Sequence, residues 1–205
     1  LIVWCLIFII SFKYLIIIFR ADNEGEGGIL ALLALLKHKS SRHQKLLYIL
    51  AIFGAGLLLG DGMLTPAISV ISAVEGLGTI SNVFEPYVMP IACIIFIFLF
   101  NLQSKGTASI GYLFGPVIMV WFFTIGFLGL VQIIAHPKVL LALNPYYAIR
   151  FLHEAGSRGY FILGGIFLVV TGGEALFADI GHFGKNPIRA SWFIVVFPCL
   201  TLNYF

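Results

Sequence analysis

Asp61, Thr65 and Ser69 follow one another at intervals of four in the run Gly60-Asp61-Gly62-Met63-Leu64-Thr65-Pro66-Ala67-Ile68-Ser69-Val70. On a helix turning about 100° per residue, each interval advances only about 40°, so the three side-chain oxygens share one face. Pro66 has no N–H, and the carbonyl of Gly62 therefore loses its usual helical partner. Gly60 and Gly62 permit irregular backbone. A carboxylate, two hydroxyls and a freed carbonyl pointing one way form an all-oxygen set, the chemistry of a site for a hard cation. The plainer alternative is an aspartate satisfied by neighbouring helices beside a proline kink. Glu75 returns near the same face but close to the outer end. The surrounding run is apolar from Leu46 to about Leu77. A carboxylate at the centre of a membrane span costs about 2.5–3.5 kcal/mol on insertion scales, so Asp61 points to function.

A second constellation lies in Val170-Thr171-Gly172-Gly173-Glu174-Ala175-Leu176-Phe177-Ala178-Asp179. Two glycines inside an apolar run invite an unwound break. Broken spans bind ions through bare carbonyls and half-helix ends. Thr171 and Glu174 would flank this one. A carboxylate desolvated within a membrane holds its proton more tightly, and a neighbouring cation opposes this, so cation binding and protonation compete. That makes Glu174 a candidate proton carrier as well as a ligand. The alternative is a glycine pair for close helix packing with a glutamate near the interface. The following Ile180-Gly181-His182-Phe183-Gly184-Lys185-Asn186-Pro187 reads as a cytoplasmic turn anchored by Asp179 and Lys185. A gate or proton exit through His182 is the sharper alternative.

The elements that must hold these residues are set by composition. The chain has 205 residues, of which 60% are hydrophobic and 10% charged, and its mean hydropathy is +1.06. Soluble domains carry about 25% charge. The fold class is therefore an all-α polytopic membrane protein, read as a single transmembrane domain over 1–205. Six apolar segments run roughly over 1–19, 46–77, 87–102, 111–134, 159–178 and 192–205. A span needs about 20 residues, so the last is short and the second is long enough to tilt or project beyond the bilayer. Leu1 and Phe205 both lie inside apolar runs, and the chain reads as a fragment of a longer protein.

The connections alternate in charge: 20–45, 103–110 and 179–191 hold eight Lys and Arg between them, against three in 78–86 and 135–158. The positive-inside rule then places 20–45, 103–110 and 179–191 in the cytoplasm. Lys13 lies within the first span, where snorkelling or packing explains it more simply than chemistry does. Ile29 to Leu36 forms a helical pattern too short to span, expected along the cytoplasmic face or under the bundle. Asn144-Pro145 with Tyr146, Tyr147 and Phe151 marks an interfacial hairpin or short helix.

Several function classes find no support. Net charge of +3 without a basic block interleaved with aromatics gives no nucleic-acid surface. Cys5, Cys93 and Cys199 lie far apart in apolar runs and read as buried small hydrophobes, with neither a disulfide framework nor a metal site. His38 and His43 read as solvated residues of a basic loop. Gly25-Glu26-Gly27-Gly28 lacks the third glycine of a dinucleotide loop at position 30. Gly56-Leu57-Leu58-Leu59-Gly60 and Gly111-Tyr112-Leu113-Phe114-Gly115 predict close helix contacts, not chemistry. No nucleophile triad or metal-ligand spacing argues for an enzyme.

The motifs taken together resemble the KUP/HAK/KT potassium uptake permeases. They are Arg20-Ala21-Asp22-Asn23 with Gly25-Glu26-Gly27-Gly28, Thr65-Pro66-Ala67-Ile68-Ser69-Val70, Gly106-Thr107-Ala108 and Leu143-Asn144-Pro145. Thr171-Gly172-Gly173-Glu174-Ala175-Leu176, Ala178-Asp179 with Gly181-His182-Phe183-Gly184-Lys185, and Leu200-Thr201-Leu202-Asn203-Tyr204-Phe205 follow in family order. The resemblance implies the amino-acid–polyamine–organocation transporter fold, an inverted repeat of five-helix units with a broken first and sixth helix. The segments here would be the second to seventh spans, with the sixth broken at Gly172-Gly173.

The resemblance further implies K⁺ uptake across the cell membrane with a co-transported proton and no cofactor. Asp61, Thr65 and Ser69 match the third-helix K⁺ site, and Thr171 and Glu174 match the sixth-helix contribution. Asp61 would supply the principal charge, Thr65, Ser69 and Thr171 neutral oxygens, and Glu174 the proton-linked carboxylate. Some relatives carry Glu where this chain has Asp61. The family's first span, which brings further acidic and Tyr ligands, lies outside this sequence. Expected partners are K⁺, H⁺ and the lipid bilayer, with a homodimer of the full-length protein left open. The rival readings are a symporter for another cation or an amino acid on the same fold, and a passive K⁺ channel.

Overall fold

The structure is a computed structural model that describes residues 1–37, 44–103 and 107–205. His38, Lys39, Arg42, His43, Lys105 and Gly106 of the sequence reading lie outside the described residues. Among those described, the chain is helical, with one isolated antiparallel bridge between Asn23 and Glu26. Five helices are long and apolar enough to cross a membrane: Ile2–Arg20, Lys45–Thr79, Val83–Leu102, Phe114–Ala135 and Ser157–Ala178. They fall on the first five apolar segments. The sixth segment is helical through Trp192–Val196 and Phe197–Tyr204. Helices suit an apolar run in lipid because every backbone hydrogen bond closes within the segment.

The chain divides into two compact units, 49–118 on one side and 1–48 with 119–205 on the other. The smaller unit holds most of helix α3 (Gln44–Glu75), all of α4 (Val88–Gln103) and the start of α5 (Thr107–Ala135). Ser81 accepts the Val83 N–H at 3.4 Å and starts the turn that leads to α4. Apolar side chains such as Met63, Leu64, Ile68 and Ile94 point outward, as lipid-facing positions do. Helix α3 runs unbroken through 32 residues, a length of about 48 Å against a hydrocarbon core of about 30 Å.

The larger unit is organised around α1 (Ile2–Arg20). Its residues Leu6, Ile10, Leu15 and Phe19 are buried with Val170, Phe177, Ile180, Ile188 and Trp192. From Leu6 to Ile17 the helix is wound as a π-helix, a rare geometry that recurs at functional sites. A second π stretch, Trp192–Val196, joins α10 (Lys185–Ser191) to α11 (Phe197–Tyr204). The two stretches meet where the Trp192 Nε1–H donates to Ser11 Oγ at 2.9 Å in a buried bond. Nearby, Arg189 Nε donates to the Leu15 carbonyl at 2.9 Å, and its guanidinium covers the Phe19 ring. Backbone packs closely on backbone between α5 and α11, where a side chain on Gly129 would strike the Leu202 carbonyl.

The loop after α1 is folded onto the segment after residue 176. Asn23 and Glu26 exchange backbone hydrogen bonds at 2.9 Å, and the Gly25 N–H donates to Asp22 Oδ2 at 3.2 Å. Asp22 Oδ1 pairs with Lys185 Nζ at 2.5 Å. Gly27 lies against the Phe177 carbonyl, Gly28 against Ala178, and Gly181 against the Glu26 carboxylate. The expected turn thus exists as α9 (Ile180–Phe183) and the start of α10, but Lys185 is anchored by Asp22. Asp179 makes no side-chain cap there. The apolar helix expected after Gly28 is α2 (Gly28–Lys37), packed on Gly173–Ala178 with Ala31 buried. Asn144 Oδ1 caps α6 (Pro145–Ala155) by accepting the Tyr146 N–H at 3.0 Å. This is the short helix that Asn144-Pro145 predicts.

Two predictions follow from this loop. Gly27→Ala places a methyl on a carbonyl that belongs to rigid backbone, so a loss of about 1–3 kcal/mol is expected, read as a lower unfolding midpoint in detergent. The Lys185 ammonium hydrogen-bonded to Asp22 holds that carboxyl below its ordinary range. A depressed carboxylate contributes stability above its unfolded pKa and loses it as pH falls through the folded value. The midpoint difference between wild type and Asp22→Asn should therefore be full at neutral pH, begin to shrink only below about pH 4, and vanish as pH falls through the lower folded value.

Candidate cation site

Helix α3 presents the first oxygen set as its spacing requires. Asp61 and Thr65 are half-buried, and Ser69 lies exposed further along the same face. Thr65 Oγ1 donates to Asp61 Oδ1 at 2.8 Å. That bond fixes one carboxylate oxygen, while Asp61 Oδ2 carries no hydrogen bond among the described residues. Gly60 and Gly62 stay helical, so the irregular backbone that their sequence permits does not occur. Pro66 sits inside the helix and still withholds an N–H from the Gly62 carbonyl. The face therefore offers a half-buried carboxylate braced by a hydroxyl, a second hydroxyl and a backbone carbonyl.

The second set is built at a break. Helix α7 (Ser157–Phe167) tightens to a single 3₁₀ turn over Leu168–Val170 and stops. Thr171 is extended with φ −59° and ψ 140°, and Gly172 turns left-handed at φ 83°. Gly173 then opens α8 (Gly173–Ala178). The break falls at Thr171-Gly172, one residue before the expected Gly172-Gly173, because only Gly172 takes the positive φ. Gly173 instead serves close packing, since a side chain there would strike Ile10 of α1.

Thr171 and Glu174 are brought together with α1 in a cleft of about 300 Å³. Its polar lining is Lys13, Tyr14, Thr171 and Glu174, and its apolar walls include Ile9, Phe167, Leu168 and Val170. The Lys13 ammonium stands over the Tyr14 ring, 4.9 Å from its centre. Sequence reasoning passed over Tyr14 and gave Lys13 no part in the chemistry. A lysine thirteen residues into an apolar span was the available signal, and the π winding that sets its direction has no sequence signature. Asp61, Thr65 and Ser69 belong to one compact unit and Thr171 and Glu174 to the other.

Five helices of spanning length among the described residues define a polytopic membrane protein. The family described as K⁺ potassium transporter integral membrane domain matches residues 1–205. The chain belongs to that family, in agreement with its resemblance to the KUP/HAK/KT permeases. It is 74% identical over all of its 205 residues to "Probable potassium transport system protein Kup 1" of Legionella pneumophila strain Corby, covering 32% of that protein. It is 57% identical over the same length to "Probable potassium transport system protein Kup 2" of Legionella pneumophila strain Lens, covering 33% of it. The chain thus spans about a third of the length of these curated relatives. No solved structure matches it.

The break makes a paired prediction. Gly172→Ala forces a side chain into the left-handed region and should destabilise by about 1–2 kcal/mol. Gly164→Ala, in α7 with nothing within 4 Å of the added methyl, should gain about 0.5–1 kcal/mol. Thermal unfolding of the two variants side by side checks both signs.

Proposed function

We propose that this chain is the part of a K⁺ uptake permease that carries two sets of its cation-binding residues, working as a secondary active K⁺/H⁺ symporter in the cell membrane. The observation that carries the reading is the helix break lined by Thr171 and Glu174 in a chain of this family. The curated relatives' names, which speak of potassium transport, support K⁺ as the cargo. Asp61 supplies the principal charge, and the Thr65 hydroxyl holds it in register. Thr65, Ser69 and Thr171 supply neutral oxygens that replace part of the ion's hydration shell.

Glu174 is the proton-linked carboxylate. It stands beside Thr171 in the first turn of α8, where a proton and a cation would compete for it. In this reading the architecture is the inverted repeat of the amino-acid–polyamine–organocation transporters, with α7 and α8 as the two halves of the broken sixth helix. The segments 20–45, 103–110 and 179–191 face the cytoplasm, as their excess of Lys and Arg favours. The working partners are K⁺, H⁺, the bilayer and a second copy of the full-length protein in a homodimer.

Full-length protein in proteoliposomes tests the site. Asp61→Asn should raise the half-saturating Rb⁺ concentration by at least about tenfold, the cost of one lost charge–ion contact in a partly desolvated site. Glu174→Gln should leave Rb⁺ flux that ignores an imposed proton gradient. Unchanged rate and half-saturation in Asp61→Asn would remove Asp61 from the site. Wild-type uptake that follows only the K⁺ electrochemical gradient would favour the channel reading, and competition by amino acids would favour the rival symporter.

A further inference from the structure

The cleft beside the helix break contains a positive charge that the transport reading leaves unused. Lys13 and Glu174 line the same cleft, one on α1 and the other on α8. Among the described residues neither makes an ion pair, although such pairs form elsewhere in the chain. An ammonium and a carboxylate within a membrane span attract each other strongly when water is scarce. Here the ammonium rests on the face of Tyr14, a seat held by the ring quadrupole. Tyr14 also packs against Gly173 at the start of α8. The ring that seats the ammonium thus lines the same cleft as the carboxylate.

We propose that Lys13 is a resident cation of this site. Its ammonium moves between the Tyr14 ring and the oxygens of Thr171 and Glu174, filling their place when the transported ion has left. The inference rests on the reading that Thr171 and Glu174 hold K⁺. An ammonium carries the same single charge as K⁺ and, like it, is satisfied by oxygens. Lys13 hangs on a flexible four-carbon stem with three donors, so it can leave one seat for the other without any backbone change. The carboxylate never stands uncompensated in the empty site, and the incoming ion must displace a competitor. Lys13 thereby lowers the apparent affinity for K⁺ and hastens its release. It acts as a specificity- and affinity-setting residue and is not itself a carrier of cargo.

The test is Rb⁺ uptake by the full-length protein in proteoliposomes, with Lys13→Gln, Lys13→Met and Lys13→Arg measured alongside Glu174→Gln. Removing the competing charge should lower the half-saturating Rb⁺ concentration by about tenfold in the Gln and Met variants, with a fall in maximal rate as release slows. Lys13→Arg should return the half-saturating value most of the way to wild type. In the Glu174→Gln background, Lys13→Gln should shift it no further, because the ammonium acts through that carboxylate. A purely structural role would lower the rate and leave the half-saturating concentration in place. An unchanged or raised value in both Lys13→Gln and Lys13→Met overturns the inference, as does an equal shift in the Glu174→Gln background. If Glu174→Gln itself leaves half-saturation and proton dependence untouched, the K⁺ assignment falls and takes the inference with it. An altered Glu174→Gln with silent Lys13 variants overturns the inference alone.

Discussion

A helix broken inside an apolar medium has to find new partners for the backbone groups that the break frees. The rest of this structure depends on how that demand is met at Thr171-Gly172. The half-helix α8 is only six residues long, too short to stand by propensity alone. It stands because α1 lies against it: Ile10 fills the space left by Gly173, and Phe19 packs on Phe177 with ring centres 6.3 Å apart. The cleft is a by-product of the same contact. Where α1 touches α8 the side chains interlock, and where α7 stops short a gap opens that Thr171 and Glu174 face.

α1 can serve as this support because it is held from its other side too. Trp192 and Arg189 hydrogen-bond to Ser11 and to the Leu15 carbonyl. Such a bond from a side chain to a mid-helix carbonyl is open only where the helix leaves that carbonyl reachable, and Leu15 lies in the π-wound stretch. The loop from Asp22 to Gly28 closes the same arrangement at the end of the span. Its glycines let backbone meet backbone at Phe177 and Ala178, and the Asp22–Lys185 pair ties it to the start of α10.

Much of this was legible in the sequence because a few residue types have narrow uses. The apolar runs located five helices to within about four residues at their ends, since a membrane leaves an apolar segment little choice. The fourfold spacing of Asp61, Thr65 and Ser69 fixed their common face, and the paired glycines fixed the break to within one position. What stayed hidden depends on partners distant in the chain. Which glycine turned and which one packed was decided by Ile10, more than 160 residues earlier. Lys185 met Asp22 in place of its neighbour Asp179, a choice made by the fold of the loop. The π winding of α1 leaves no periodic trace in the sequence.

The length of α3 has a consequence for how the protein meets membranes of different thickness. Between Lys45 and Glu75 the helix carries a single formal charge, Asp61. It stands about 24 Å along the axis from Lys45 and about 21 Å from Glu75, at 1.5 Å per residue. A helix longer than the hydrocarbon layer answers hydrophobic mismatch by leaning over. With charged residues near both ends seeking opposite surfaces, the lean occurs about a point near the middle, and the middle is Asp61. Thinner or thicker bilayers would swing the ends of α3 sideways while its one mid-helix charge keeps its depth. The carboxylate occupies the pivot of the helix, the one place where lipid composition alters orientation and leaves altitude unchanged.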